Sequence, residues 1–205
     1  MMVNKGIRAI VRRSGAVVVV AAALTAAGCG TSVDGTATAA STSAAATSSS
    51  SSTTSTAPRE ADLGGRVDID VEIGDCVRLG GTADAATIDE AVCGSDKSNY
   101  KVVGKAAKNA QCASDVDQVY YETRWGNERG ALCLDIDWVM GGCMSLPDGD
   151  DDEPQRVECD DPYAPGIERA IEVIEGVVDV EQCSEGGYVH DEREFTVCTE
   201  TVRPL

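Results

Sequence analysis

Aromatic residues are scarce, with one Phe, two Trp and five Tyr in 205 residues. Large rings dominate the energetics of most cores, so so few of them leave a folded region short of apolar mass. His190 is the one histidine, and no Gly-x-Ser-x-Gly elbow accompanies it, which removes the usual pattern of a Ser-His-Asp hydrolase. No two cysteines stand closer than ten residues, which removes the close pairs that zinc sites and thioredoxin-like redox motifs require. Asn-x-Ser/Thr is absent. Positive charge is also in short supply: 17 Lys plus Arg face 35 Asp plus Glu, a formal charge of −18. Such a chain repels nucleic acid and anionic lipid head groups.

What is present begins with a leader. Lys5, Arg8, Arg12 and Arg13 form a positive region ahead of the uncharged apolar run 16–27, which is too short to cross a hydrocarbon core of ~30 Å. Residues 24–29, Leu-Thr-Ala-Ala-Gly-Cys, resemble a bacterial lipobox, with Ala26 where Leu is commonest. Residues 1–28 are therefore expected to be a lipoprotein signal peptide, and Cys29 the lipidated first residue of an exported form. A single acyl chain holds a membrane marginally and two hold it stably. The anchor should thus be the lipid on Cys29, at the extracytoplasmic face of the cell membrane. Without the leader's four bases, 13 cations face 35 acids, a formal charge of −22.

Residues 30–58 are almost wholly Ser, Thr and Ala. Such a tract buries too little apolar surface to offset the entropy of ordering, so residues 29–62 read as a lipidated cysteine and a disordered tether. Its reach is roughly 30 Å on average and about 95 Å when extended. Its composition also suits O-glycosylation.

The remainder repeats itself. Gly74-Asp75-Cys76 is echoed by Gly141-Gly142-Cys143, and Val92-Cys93-Gly94 by Val157-Glu158-Cys159. Residues 100–104, leading to Cys112, match residues 171–176, leading to Cys183. Tyr121, leading to Cys133, matches Tyr188, leading to Cys198. A duplication with altered loop lengths explains this most simply, giving modules at 63–138 and 139–205. Val67, Ile69, Val71 and Ile73 alternate with acidic residues, the period of a half-buried strand. Residues 87–93, 99–103, 118–122 and 131–136 carry the β-branched and aromatic content of short strands. Residues 167–178 suit a helix by propensity, but their repeat partner is strand-like. Helix is expected near the third cysteine of each module, as in residues 112–117. The expected fold class is mainly β with modest helix: two small antiparallel modules packed together.

Modules of about 70 residues rarely gain more than ~3–5 kcal/mol from their cores alone, so staples are expected. Eight cysteines allow 105 connectivities. The within-module order is favoured here, joining Cys76 to Cys93, Cys112 to Cys133, Cys143 to Cys159 and Cys183 to Cys198.

Residues 114–124 and 130–139, with 98–103, resemble the LppU family of actinobacterial lipoproteins, and residues 188–193 with 195–198 are similar to that family's C-terminal end. The resemblance spans leader, tether and cysteine-rich region. It implies a membrane-anchored envelope protein and brings no catalytic residues. The Gly-Asp-Cys opening has a weaker similarity to septum-formation-type domains, without their Cys-x-x-Pro-His element.

Three functions stay open. One is a non-enzymatic module that binds an envelope protein or wall component, which needs an apolar or aromatic patch between the modules. Another is a hydrolase around His190, beside Asp191 and Glu192, which needs a partner Ser, Asp or Glu within hydrogen-bond reach. The third is a weak calcium response at Asp148-Gly149-Asp150-Asp151-Asp152-Glu153, although that run lacks the ligand spacing of an EF-hand. Trp125 and Trp138 suit a ligand platform or, more simply, packing. No cofactor or metal is implied.

Overall fold

The computed structural model describes residues 2–5, 9–11, 61–82, 84–148 and 152–203. Cys29, the tract 30–58 and positions 149–151 of the acidic run lie outside them. The strands are, in chain order, β1 (Met2–Lys5), β2 (Ala9–Val11), β3 (Ala61–Leu63), β4 (Cys76–Thr82), β5 (Ala85–Ala91), β6 (Tyr100–Ala106), β7 (Gln118–Arg124), β8 (Asn127–Ile136), β9 (Cys143–Ser145), β10 (Gln155–Val157), β11 (Ile167–Glu175), β12 (Gly186–His190) and β13 (Phe195–Arg203). One turn of 3₁₀ helix, at Asn109–Gln111 and at Val180–Gln182, precedes the third cysteine of each half. The fold is mainly β, and no helix among the described residues is long and apolar enough to cross a membrane.

The strands form two sheets with the same plan. One runs β1-β7-β8-β6-β4-β5 and the other β2-β12-β13-β11-β9-β10, with every neighbour antiparallel. The short β3 adds to β6 in parallel. Details repeat as well. Gly74 N donates to Val102 O at 2.8 Å and Val102 N to Asp75 O at 2.8 Å; in the second half Gly141 N donates to Ala170 O at 2.7 Å and Ala170 N to Gly142 O at 3.1 Å. Each long strand then bulges at the next residue, between Val102 and Gly104 and between Ala170 and Glu172.

That register corrects the repeat read from sequence. Val102 corresponds to Ala170, so Gly104 corresponds to Glu172, four positions earlier than Gly176. The two glycines have different jobs. A Cβ on Gly104 would lie 3.2 Å from Cys133 Sγ, whereas Gly176 has φ +70° and open space around it. Likewise Tyr188 corresponds to Tyr120 and not to Tyr121, because Tyr120 faces Leu132 and Tyr188 faces Val197, each the residue before a fourth cysteine. A slip of one residue exchanges the two faces of a strand, and both rings are buried, Tyr120 in the cluster with Met144 and Tyr121 in the one with Val119 and Cys133.

Two local expectations also change. Residues 67–73 keep the alternation, with Val67, Ile69, Val71 and Ile73 turned inward and the acids between them exposed, yet they pair with no strand. Their backbone is held from the side instead: Arg66 N donates to Arg129 O at 2.9 Å and Asp68 N to the Glu122 carboxylate at 2.9 Å. Alternating burial needs an extended backbone over a core, and a ladder is one way among several to supply it. Residues 112–117 are turns and bends and not helix, with Val116 N donating to Ala113 O at 3.4 Å and the Asp115 carbonyl accepting from Arg193.

The halves share a core. Met144 of the second half is fully buried among Val77, Tyr100, Tyr120, Leu132 and Leu134 of the first, with Trp138 and Leu146 packed against them. The whole cysteine-rich region forms one compact unit. Four disulfides join Cys76–Cys93, Cys112–Cys133, Cys143–Cys159 and Cys183–Cys198, two within each half. The β7–β8 hairpin turns on Trp125 and Gly126, both with positive φ (51° and 78°), the requirement of a turn that matches strand twist.

Gly187 is the tightest point of the second sheet's hairpin, where a Cβ would meet Val197 O at 2.3 Å and Cys198 Cα at 3.1 Å. Those atoms are backbone and cannot step aside. Gly187→Ala is expected to lower stability by about 1–3 kcal/mol in urea denaturation, the range for overpacking. A loss below about 0.5 kcal/mol would show that this hairpin has slack.

Candidate functional site

The halves meet along a polar seam. Arg193, in the turn after β12, reaches across to two acids of the first half. Its backbone N and Nε donate to Asp115 at 2.8 and 2.7 Å, and its Nη1 and Nη2 form a fork on Asp135 at 2.5 and 2.9 Å. Nη2 also lies 2.9 Å from the Asp115 carbonyl and 2.8 Å from His190 Nδ1. A planar guanidinium is suited to such two-pronged contacts, which a lysine could not reproduce. A second clamp sits further along: Arg156 Nε donates to Ser95 O at 3.2 Å, and its Nη2 contacts the carboxylate and carbonyl of Asp137. Asp137 is itself fixed by Gly94 N at 2.6 Å and Ser98 Oγ at 2.7 Å. Tyr100 OH donates to Glu153 at 2.5 Å, and Ser114 N and Oγ donate to Glu192 at 2.7 and 2.9 Å.

The plan of the sheets explains how these acids become available. Lys101 stands opposite Asp135 on β6 and β8, and the equivalent positions of the second half are Arg169 and Glu200. Arg169 and Glu200 form an ion pair with each other. In the first half Asp135 is claimed by Arg193 instead, and the Lys101 side chain is exposed.

A cavity of about 370 Å³ opens at this seam. Trp138, Met140, Val173 and Phe195 supply apolar wall, while Lys101, Asp117, Asp135, His190 and Arg193 supply the polar part. The Trp138 ring also packs at 5.7 Å on Tyr188, and its indole N–H is buried with no hydrogen-bond partner in the protein. Leaving such a donor unpaired costs about 1–3 kcal/mol.

His190 is 2 % exposed. Its Nδ1 lies 2.9 Å from the Asp115 carbonyl, and its ring stacks on Phe195 at 4.1 Å. Burial holds the imidazole below its ordinary pKa, against the opposing pull of Asp135. According to its tautomer, Nδ1 either donates to the Asp115 carbonyl or accepts from the Arg193 guanidinium; Asp191 and Glu192 beside it in sequence are exposed, and Glu192 is engaged by Ser114. His190 thus packs beside Arg193 in the seam, between the Asp115 carbonyl and the Phe195 ring.

Asp117 is the acid that sequence reasoning missed. It is 5 % exposed, accepts from Ile136 N at 2.8 Å, and has its pKa pushed up to about 8 by burial first and by the neighbouring Asp135 second. An unfolded Asp titrates near 3.9, so the folded chain takes up a proton between that value and about 8. Stability should therefore fall as pH rises from about 4 to about 8, and level off above. Asp117→Asn keeps the acceptor for Ile136 N and removes the titration. Urea midpoints at pH 5 and pH 9 should then differ less in the variant than in the parent protein, with the variant gaining most at pH 9. An unchanged difference would place the pH dependence elsewhere.

Two further features were suggested by sequence. Of the acidic run, the described Glu153 is taken by Tyr100 and by Gln118 Nε2 at 3.4 Å, which leaves that carboxylate committed to the seam. The exposed hairpin tip holds Trp125, 88 % exposed, with the Arg124 guanidinium 4.6 Å over its ring. Cys76, Cys93 and Asp137 lie close together, but the sulfurs are bonded to each other and the carboxylate is engaged as above. Comparison of the chain with family models, with curated proteins and with solved structures finds no match.

Proposed function

We propose that this chain is an exported cell-envelope protein of the LppU type, anchored by lipid on Cys29, that acts as a non-enzymatic binding module. Its ligand is an envelope protein segment or wall component that enters the seam between the halves. The observation that carries this reading is the seam cavity. Its volume of about 370 Å³ falls within the range of ligand pockets. An apolar wall and a few convergent polar groups are the usual make-up of such pockets. Met140, 47 % exposed, stands at its mouth. The His190 contacts favour binding over hydrolysis, since the imidazole packs beside a structural cation.

The test is photo-cross-linking in the native envelope. A photoreactive residue replacing Met140 should capture one discrete partner, and the same group at Tyr163, which is 92 % exposed and outside the cavity, should not. Equal capture at both positions, or none at Met140, would remove the cavity from consideration.

A further inference from the structure

The two sheets end on equivalent strands, β7 and β12, and each of these edges carries an added strand from the first eleven residues. β1 lies antiparallel on β7, with Met2 opposite Tyr121 and Lys5 opposite Gln118. β2 lies antiparallel on β12, with Ala9 opposite Tyr188 and Val11 opposite Gly186. From Lys5 to Ala9 is four Cα steps, a span of at most roughly 14 Å. Both edges are therefore within reach of one short chain, which joins the first sheet with four residues and the second with three.

A leader that is cleaved before Cys29 takes these strands with it. Two neighbouring edges then stand without their added strands, and an open edge is a template for strand addition. We infer that the exported form uses the paired edges of β7 and β12 as a single slot for an extended segment, about ten residues long, of a partner protein. This rests on the leader reading and is separate from the seam cavity. The chemistry of the occupant follows from charge and from the segment that fits. Residues 2–11, Met-Val-Asn-Lys-Gly-Ile-Arg-Ala-Ile-Val, are apolar with two bases and no acid, and the exported form carries a formal charge of −22. Main-chain hydrogen bonds supply the affinity in this mode, while an acidic host favours a cationic guest. Joining two weak contacts through a short linker raises the local concentration of the second, so the double edge gains more than either edge alone.

The experiment uses the exported protein extracted from membranes in detergent, with its mass measured first. A labelled peptide of the sequence of residues 2–11 is titrated by fluorescence anisotropy, alongside peptides in which residues 2–5 or 9–11 are replaced by glycine and serine. The intact peptide should bind at least tenfold more tightly than either replacement. It should slow amide exchange at both Gln118–Tyr121 and Gly186–Tyr188. Methylating alternate peptide nitrogens should abolish binding in one phase and spare it in the other, the period of a strand. Protection confined to one edge, insensitivity to methylation or no binding at millimolar peptide would overturn the slot. So would a self-associated protein whose own contacts cover these edges. A mass that retains residues 1–28 would overturn the leader reading itself and show the slot filled from within, a result distinct from a trimmed protein that ignores the peptide.

Discussion

Replacing Arg193 with Met should cost about 3–5 kcal/mol, the usual penalty for removing one partner of a buried ion pair. Arg193 is buried, as is Asp115, and Asp135 is nearly so, so the substitution strands two carboxylates beside the already buried Asp117. The loss comes less from the attraction given up than from acids left without a counter-charge where water has poor access. A rescue separates these causes. Adding Asp115→Asn and Asp135→Asn to Arg193→Met removes both charges, and the triple variant should recover a large part of the lost stability in urea denaturation. Neighbouring groups couple strongly, so the three effects should be far from additive. A single variant within about 1 kcal/mol of the parent, or a triple variant worse than the single, would show that the seam does not depend on this clamp. Arg193→Lys is expected to resemble the Met variant, because an ammonium cannot fork onto Asp135 while reaching Asp115.

Reduction of the disulfides should unfold the protein at room temperature. The four bridges span 17, 21, 16 and 15 residues. In the chain-entropy view each of these contributes about 3 kcal/mol, or ~12 kcal/mol together, comparable with the ~5–15 kcal/mol of a whole domain. Near-ultraviolet circular dichroism in a strong reductant should lose its native signal. Paired Cys→Ser variants, one bridge at a time, should each lose about 3 kcal/mol. A reduced protein that keeps a cooperative thermal transition would mean that the shared core suffices without staples.

Much of the fold was legible because its signals are local. Cysteine spacing, the Gly-Asp-Cys and Gly-Gly-Cys openings and runs such as 118–122 and 131–136 announce short stapled strands, and residues 167–175 proved to be strand, as their repeat partner implied. Register was not legible. Glycines align well by eye, yet Gly104 yields to a disulfide and Gly176 to a backbone turn, so matching them displaced a strand by four residues. The seam was hidden for another reason. Arg193 lies 78 residues from Asp115 and 58 from Asp135, and nothing in the neighbourhood of any of them marks the meeting. The one hint was scarcity: in a chain with so few cations, an arginine in a turn among acids invites the question of what it neutralises.

Among the described residues three ion pairs cross the seam, and they run one way, with both arginines in the second half and all three acids in the first. Arg156 faces Met144 in the second sheet just as Glu90 faces Val77 in the first, so equivalent sites carry opposite charge. Two copies of one module joined through like surfaces could pair with themselves as readily as with each other. Here the surfaces have diverged into a plug and a socket, and the molecule behaves as a heterodimer whose subunits share one chain. Only six residues, 137–142, separate β8 from β9. A tether that short favours docking of each plug into its own socket over the socket of a neighbour. The short connection matters because a plug and a socket on different copies could otherwise join head to tail into open chains.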